Sequence, residues 1–125
     1  MADQPTPAVP KAAPKPPEHK IEVPAGPADP APPADVAEPA FLTAARAALG
    51  DALEQVSYWV GDWTLVVSTA KLAEACRTLR DLPEGRFDFC SDVTASDWPA
   101  RDRRFDVVYC LYSTAHRHRV RVKVR

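Results

Sequence analysis

Glycine, cysteine and long apolar runs are scarce in this sequence of 125 residues, and each scarcity excludes a class of function. Four glycines are present, and no G-x-G-x-x-G or P-loop pattern exists that could hold the phosphates of a nucleotide. The three cysteines are an odd number without framework spacing, which indicates free thiols in a reducing compartment. No apolar run approaches the roughly 20 residues of a membrane helix, and the amino terminus has no signal-peptide pattern. We therefore expect a cytoplasmic protein that reaches a membrane only through a partner.

Residues 1–40 differ in composition from the rest of the chain. They hold 12 of the 14 prolines, six Asp or Glu and three Lys or Arg, but no aromatic residue. Such a segment buries too little apolar surface to offset its conformational entropy, so we predict a disordered leader with local polyproline II structure. It could serve as a proline-rich ligand or a spacer, although PxxP matches arise by chance at this proline density. A soluble extension without a partner is the simpler interpretation.

The first half of residues 41–125 predicts a helix, two strands and a second helix. Apolar residues recur at helical spacing from Phe41, and Gly50 is a natural helix stop. Alternation then predicts strands on either side of Gly61-Asp62, joined by a type II′ hairpin turn with Gly61 at its first central position. The next helix is amphipathic, and its apolar stripe includes Cys76, which we interpret as core packing. Ser68 or Thr69 could cap its start, and Pro83 with Gly85 could end it.

Three further strands complete the predicted order. The first strand begins at residues 87–89 and ends at residues 97–99, and residues 101–103 form a polar turn. Five of the eight residues 105–112 are aromatic or β-branched, which is typical of a strand buried on both faces. The last run, residues 118–125, alternates without a fault: valines at 120, 122 and 124 face one way, and arginine or lysine at 119, 121, 123 and 125 faces the other. The order helix-strand-strand-helix-strand-strand-strand predicts a two-layer α+β domain over residues 41–125.

The candidate sites for chemistry are weak. His116 and His118 form an H-x-H pair, and with Cys90 or Cys110 nearby a zinc site is conceivable. No C-x-x-C motif and no further histidine in residues 41–125 supports it, so polar histidines at a turn or strand edge are the simpler interpretation. We therefore expect no metal site and no bound cofactor in this chain.

Catalysis by side chains has equally little support. Neither G-x-S-x-G nor a Cys/His context indicates a nucleophile with its base. Asp92 and Asp97 could act as paired carboxylates, but Asp97 stands in a turn-like sequence where Asp commonly bonds the backbone. We nominate no catalytic residue.

The cationic side of the last strand is the best remaining feature. Residues 117–125 hold Arg117, Arg119, Arg121, Lys123 and Arg125 and no acid. One interpretation is phosphate contact in a free-standing module that binds RNA. Another is a protein interface, in which arginines pair with a partner's carboxylates, and a solvated sheet face is the third. The folded part has 13 basic against 11 acidic residues, so charge alone does not decide.

The residue strings of these three strands resemble a known family. Residues 87–99 read FDFCSDVTASDWP, residues 104–113 read RFDVVYCLYS, and residues 118–125 read HRVRVKVR. In register, they are similar to the C subunit of NADH-quinone oxidoreductase (respiratory complex I), the 30 kDa subunit family. Cys90 and Cys110 depart from the family pattern. The family's downstream E-R-E, G-I-x-F and G-H-P segments do not occur, so we expect an amino-terminal fragment of a longer chain.

The resemblance implies a mixed sheet with the last strand inside it and a non-catalytic structural role. The parent complex uses NADH, FMN, iron–sulfur clusters and quinone, and none of these is expected in this chain. The implied partners are other complex I subunits, especially the D and B subunits, with no nucleic acid. The implied location is the peripheral arm, on the cytoplasmic side of the inner membrane, where the complex couples electron transfer to proton translocation.

Overall fold

A computed structural model describes residues 22–26 and 28–125, which form one five-stranded sheet with two helices. The helices are α1 (Ala40–Leu49) and α2 (Leu72–Asp81). The strands are β1 (Leu53–Trp59), β2 (Asp62–Val67), β3 (Phe89–Asp97), β4 (Phe105–Tyr112) and β5 (Arg119–Val124). The predicted α+β class and the predicted order of elements are confirmed. No helix in the described residues is long and apolar enough to cross a membrane.

The strand order β1-β2-β5-β4-β3 places β5 at the centre of the sheet. It runs parallel to β2, with Leu65 opposite Val122, and antiparallel to β4, with Tyr109 opposite Val122. The pairs β1–β2 and β3–β4 are antiparallel hairpin neighbours. The sheet is therefore mixed, and the last strand lies inside it as expected.

Both helices pack on one face of the sheet, which we call the helix face. The valines at 120, 122 and 124 of β5 are buried there with Leu65 and Val67 of β2. Phe41 and Leu42 of α1 and Ala75 and Leu79 of α2 cover them, and Phe41 meets Phe87 edge to face at 5.2 Å. The period of two on β5 and the helical period on α1 and α2 meet in this single core because each apolar set has only one face to bury.

The opposite face, which we call the second face, carries the other half of each strand. Its central rows are defined by pairs that share a register position: Thr64 with Arg121, Val66 with Lys123, Cys110 with Arg121, and Val108 with Lys123. No helix lies on it within the described residues. For this reason the prediction that residues 105–112 are buried on both faces is wrong: Asp106 and Leu111 are buried, five residues are half-buried and Phe105 is exposed.

The two edges of the sheet differ. On the β1 side, the Tyr58 N–H donates to the Pro30 carbonyl at 3.1 Å, and Val36 packs against the core. Residues 28–39, which we call the leader segment, therefore contribute contacts to the folded domain. The predicted disorder of residues 1–21 and 27 lies outside the described residues. On the opposite side, every residue of β3 is exposed, and β3 pairs with β4 alone among the described strands.

The helix ends confirm one prediction and correct another. Gly50 follows α1 with φ of 50°, as expected for the predicted stop. At α2 the expected side-chain cap is absent from the described contacts. Ser68 and Thr69 begin a 3₁₀ turn (Thr69–Lys71), which displaces the helix start to Leu72. The Thr69 hydroxyl donates instead to the carbonyl of Arg125 at 2.8 Å, which ties this turn to the end of β5.

The β1–β2 turn also differs from the prediction. The loop residues are Val60 and Gly61, since Trp59 pairs with Asp62. Both have positive φ, 47° and 90°, which is the type I′ geometry and not type II′. Because Trp59 pairs with Asp62, the turn lies one residue closer to the amino terminus than predicted. Val60, a β-branched residue, therefore occupies a position where asparagine or glycine is preferred. Val60 is 81% exposed, so no packing compensates for that conformation.

Replacing Val60 with asparagine should stabilise the protein. Asparagine tolerates the left-handed conformation that costs a β-branched residue roughly 1–2 kcal/mol, so we expect a gain of about 1 kcal/mol. For a domain of this size that gain corresponds to a rise of roughly 4–8 °C in Tm, measurable by calorimetry. The matched control is Gly61→Ala, in which the new Cβ meets no neighbour but a left-handed φ remains, and which should lower Tm. A Val60→Asn variant that melts at or below the wild-type temperature would contradict the turn assignment.

Hydrogen bonds to Asp88 hold the connection between β4 and β5. The Asp88 carboxylate accepts the Thr114 N–H at 2.9 Å and the Thr114 hydroxyl at 2.6 Å. These two hydrogen bonds, the hydroxyl first, hold the pKa of Asp88 below its usual value of 3.8. The connection is fixed on its other side by His116, whose Nε2 lies 2.9 Å from the Pro83 carbonyl.

The lowered pKa of Asp88 makes the stability of the fold depend on acid. The folded state favours the ionised carboxylate, so the contribution is complete above the unfolded value of 3.8 and is lost as pH falls through the lower folded value. We expect Asp88→Asn to lower Tm at pH 7 and to flatten the Tm profile below about pH 4. Glu84→Gln, which removes a carboxylate from the same connection between α2 and β3, is the control. Equal acid-limb slopes for Asp88→Asn and wild type would refute the assignment.

Candidate interaction face

The cationic residues of β5, which the sequence singled out, lie on the second face and are mostly paired with acids of the same chain. Arg121 donates to Asp62 at 2.6 Å, and Lys123 donates to Asp29 at 2.6 Å. Arg125 donates to the other oxygen of Asp29 and, at 3.3 Å, to Asp106. Arg119 is exposed and makes no ion pair within the described part of the chain. The predicted alternation is thus confirmed, but most of its charge is already neutralised.

The carboxyl-terminal end of β5 carries a charge cluster, which we define as Asp29, Arg101, Asp106, Lys123 and Arg125. Arg101 Nη1 donates to both oxygens of Asp106, at 2.9 and 3.1 Å, and Lys123 Nζ lies 3.7 Å from Asp106. The side chains of Asp106, Asp29 and Lys123 are only 4%, 8% and 11% exposed. Trp98 shields one side, with Arg101 5.5 Å above its ring. Buried charges persist only when they are paired, and here every member has an opposite charge within reach.

Within this cluster, the sequence contains only a weak indication of a role for Asp106 and none for Asp29. Asp106 is the single acid in the strand FDVVYCLY, and an acid on a mostly apolar strand indicates a partner nearby. Asp29 lies 94 residues from Lys123 in a proline-rich segment, and no pattern in the sequence connects the two.

The residues considered for a metal site are not brought together. The rings of His116 and His118 stack with their centroids 5.9 Å apart, and the centroid of the His118 ring lies 5.0 Å from that of Phe41. Cys110 lies on the second face, whereas Cys90 lies beside Cys76 at the edge of α2. Burial raises the pKa of the Cys76 thiol, with a smaller contribution from Cys90. Across residues 22–26 and 28–125, no group of three or more His, Cys, Asp or Glu could hold a metal ion.

The two carboxylates considered as a catalytic pair also stand apart. Asp92 pairs in register with Cys110 and Asp97 with Phe105, and an odd separation on one strand places them on opposite faces. Asp97 accepts two hydrogen bonds from Arg104, at 2.7 and 2.5 Å. These bonds hold the pKa of Asp97 below its usual value, so it is ionised and committed to Arg104.

A shallow groove of about 490 Å³ lies on the second face towards the amino-terminal end of β5. Its lining includes Phe89, Cys110, Tyr112, Arg119 and Arg121. Aromatic rings next to arginine are the composition of protein interfaces. Phosphate recognition would need several free cations, and the intrachain pairing of Arg121, Lys123 and Arg125 removes most of them.

Comparison with known proteins gives the same family as the strand sequences. Residues 65–125, from the middle of β2 to the end of the chain, match the family model "Respiratory-chain NADH dehydrogenase, 30 Kd subunit". This part of the chain, slightly less than half of its residues, is similar to that family. The matched range includes β5 and its partner β4, so the family pattern and the centre of the sheet coincide.

Curated relatives agree. The C subunit of NADH-quinone oxidoreductase from Brucella abortus (strain 2308) is 41% identical over 80 residues, which are 64% of this chain and 40% of the relative. The corresponding proteins of Brucella ovis and of Brucella melitensis biotype 2, which carry the same name, match with the same identity and the same shares. The chain therefore spans about two fifths of the length of these relatives.

Removing the buried acid of the charge cluster should destabilise the domain. Asp106→Asn leaves Arg101 without its carboxylate and Lys123 and Arg125 with Asp29 alone, and breaking a buried pair costs about 3 kcal/mol. Asp102→Asn, an exposed neighbour in the same connection, is the control and should stay within about 0.5 kcal/mol of wild type. Urea denaturation followed by tryptophan fluorescence measures both. Equal midpoints for the two variants would show that the cluster carries no stability.

Proposed function

We propose that this protein is a non-catalytic structural subunit of the peripheral arm of NADH-quinone oxidoreductase. The match of residues 65–125 to the 30 kDa subunit family is the observation that carries the proposal. In this role the sheet is a packing element of an assembly that transfers electrons from NADH to quinone and couples the transfer to proton translocation. NADH, FMN, the iron–sulfur clusters and quinone belong, in this proposal, to other subunits, and no residue of this chain is nominated to bind them.

The open edge of the sheet supports a role in assembly. All nine residues of β3 are exposed, and Phe89 and Val93 are each about half exposed although both are large apolar side chains. Phe105, opposite Asp97 in register, adds a third exposed apolar side chain at this edge. A long exposed edge strand with apolar side chains pairs readily with other chains. We therefore propose β3 as the surface that contacts the neighbouring subunit.

The proposed partners are the D and B subunits of the complex, and the proposed location is the cytoplasmic side of the inner membrane. Contact through β3 uses the sheet edge opposite the one that the leader segment meets. The exposed arginines of the second face, such as Arg119, are suited to pair with carboxylates of a partner at the rim of that contact.

The proposal predicts that a tagged full-length chain, expressed in cells that contain the complex, co-purifies with the D subunit. Val93→Lys should abolish most of this co-purification, because it places a charge in the centre of the exposed edge strand. Mass spectrometry of the purified material measures the ratio of the D subunit to the tagged chain. Ala73→Lys, on the exposed side of α2, is the matched control and should retain the wild-type ratio.

The two parts of the proposal fail separately. A wild-type chain that recovers none of the D subunit would overturn the assembly role. Equal recovery of the D subunit by wild type and by Val93→Lys would leave that role standing and overturn β3 as the contact surface.

A further inference from the structure

The leader segment is held on the second face by one acidic residue and the main chain on both sides of it. The Asp29 carboxylate is divided between two cations: one oxygen accepts from Lys123 Nζ at 2.6 Å and the other from Arg125 Nη2. The Asp29 carbonyl accepts from Gln55 Nε2 at 2.7 Å, and the next carbonyl, that of Pro30, accepts from the Tyr58 N–H. Four donors from β1 and β5 thus converge on two consecutive residues.

Asp29 is the nearer of the two acids to both Lys123 and Arg125. Without Asp29, three cations of the charge cluster would share the single carboxylate of Asp106. Lys123, at 11% exposure and 3.7 Å from Asp106, would lose its close partner. A buried cation without a close anion is costly, so the seat formed by Lys123 and Arg125 requires an anionic group.

The geometry also selects the form of that group. Gln55 and the Tyr58 N–H bind main-chain carbonyls and not the carboxylate, so the site recognises an acidic residue together with the main chain that carries it. Pro30 supplies a carbonyl but no N–H, which fits an edge where only acceptors are needed. A free phosphate or carboxylate would satisfy Lys123 and Arg125 but leave Gln55 and Tyr58 without these bonds.

A third element restricts the peptide on its amino-terminal side. Gly26 has φ of 83°, and a Cβ placed there would lie 2.6 Å from Cδ2 of Trp98. Arg101 Nε donates to the neighbouring Ala25 carbonyl, so the backbone passes close against the Trp98–Arg101 pair. Only glycine combines that φ with that approach. The seat therefore prefers a glycine three residues before the acid.

We propose that Gln55, Lys123 and Arg125 form a binding site for an acidic residue carried on a peptide, which Asp29 fills in cis. An acidic segment of a partner protein with the same features can occupy the site when the leader segment leaves it. Tethering gives Asp29 a high effective concentration, so the intact chain binds such a segment in trans only weakly. The leader segment therefore competes with the partner, and the partner must bind more tightly or be more concentrated to occupy the site.

The test uses the full-length chain with Asp29→Arg, which places a cation opposite Lys123 and Arg125 and repels the leader segment. The probe is a fluorescein-labelled peptide of residues 24–36, and its control is the same peptide with Asp29→Asn. By fluorescence anisotropy we expect the wild-type peptide to bind the Asp29→Arg chain about tenfold more tightly than the control peptide, the effect of one charge-assisted interaction. The wild-type chain should bind the peptide about tenfold more weakly, since its own Asp29 fills the site.

Other arms separate the alternatives. Gly26→Ala in the peptide should weaken binding, and inorganic phosphate at the peptide's concentration should not displace it. Displacement by equimolar phosphate would show a simple anion site, and equal affinity for the Asp and Asn peptides would overturn the proposal outright. Circular dichroism checks the fold of Asp29→Arg. If that variant does not fold, full-length Asp29→Asn replaces it, and failure to bind the wild-type peptide there also overturns the proposal.

Discussion

The two-sided character of β5 is the constraint on which the rest of the structure depends. Its valines must be covered by an apolar layer, and its cations must be met by acids, because β5 lies at the centre of the sheet. The first demand is met by α1 and α2 on the helix face. The second is met by Asp62, Asp106 and Asp29, which come from β2, β4 and the leader segment. One strand therefore organises elements from both ends of the chain.

The charge cluster explains why a cationic ladder in the sequence does not make a polyanion-binding face. Each acid that meets β5 neutralises positive charge that a polyanion would otherwise contact. On the second face, Arg119 stays exposed beside aromatic side chains of the groove. An edge strand with exposed apolar residues lies next to that groove. The molecule thus presents surfaces suited to protein contact, in agreement with the similarity of residues 65–125 to the 30 kDa subunit family.

One edge of the sheet is covered by the chain itself and the other is exposed. The β1 edge is met by the leader segment, which supplies carbonyls to Tyr58 and Gln55. The β3 edge has no such cover within the described residues. An uncovered edge strand promotes aggregation of a protein that stays alone, and it offers a pairing surface to a protein that assembles with others. In the proposed role, the same sheet is closed on one side by its own chain and on the other by a neighbour.

Periodicity along the chain was enough to predict the elements of this fold. The alternation of residues 118–125, the amphipathic pattern of α2 and the stop at Gly50 depend only on neighbours along the chain, and all three are found in the structure. The strand sequences also pointed to the family. Predictions that depended on the surroundings were the ones that failed. The burial of β4 depends on whether a second helical layer exists, and the hairpin turn depends on the pairing of Trp59 with Asp62.

The order of residues was sufficient to establish which side of β5 is apolar and which is cationic, because alternation is a property of the strand. Which charges meet was decided by the tertiary structure alone. Asp29 and Lys123 are 94 residues apart, and their contact follows from the path of the leader segment along β1 and not from any local pattern. Whether the cations of β5 would be free or neutralised was a matter of long-range packing, since Coulomb pairing depends on distance in space and on burial, neither of which is written in the order of residues.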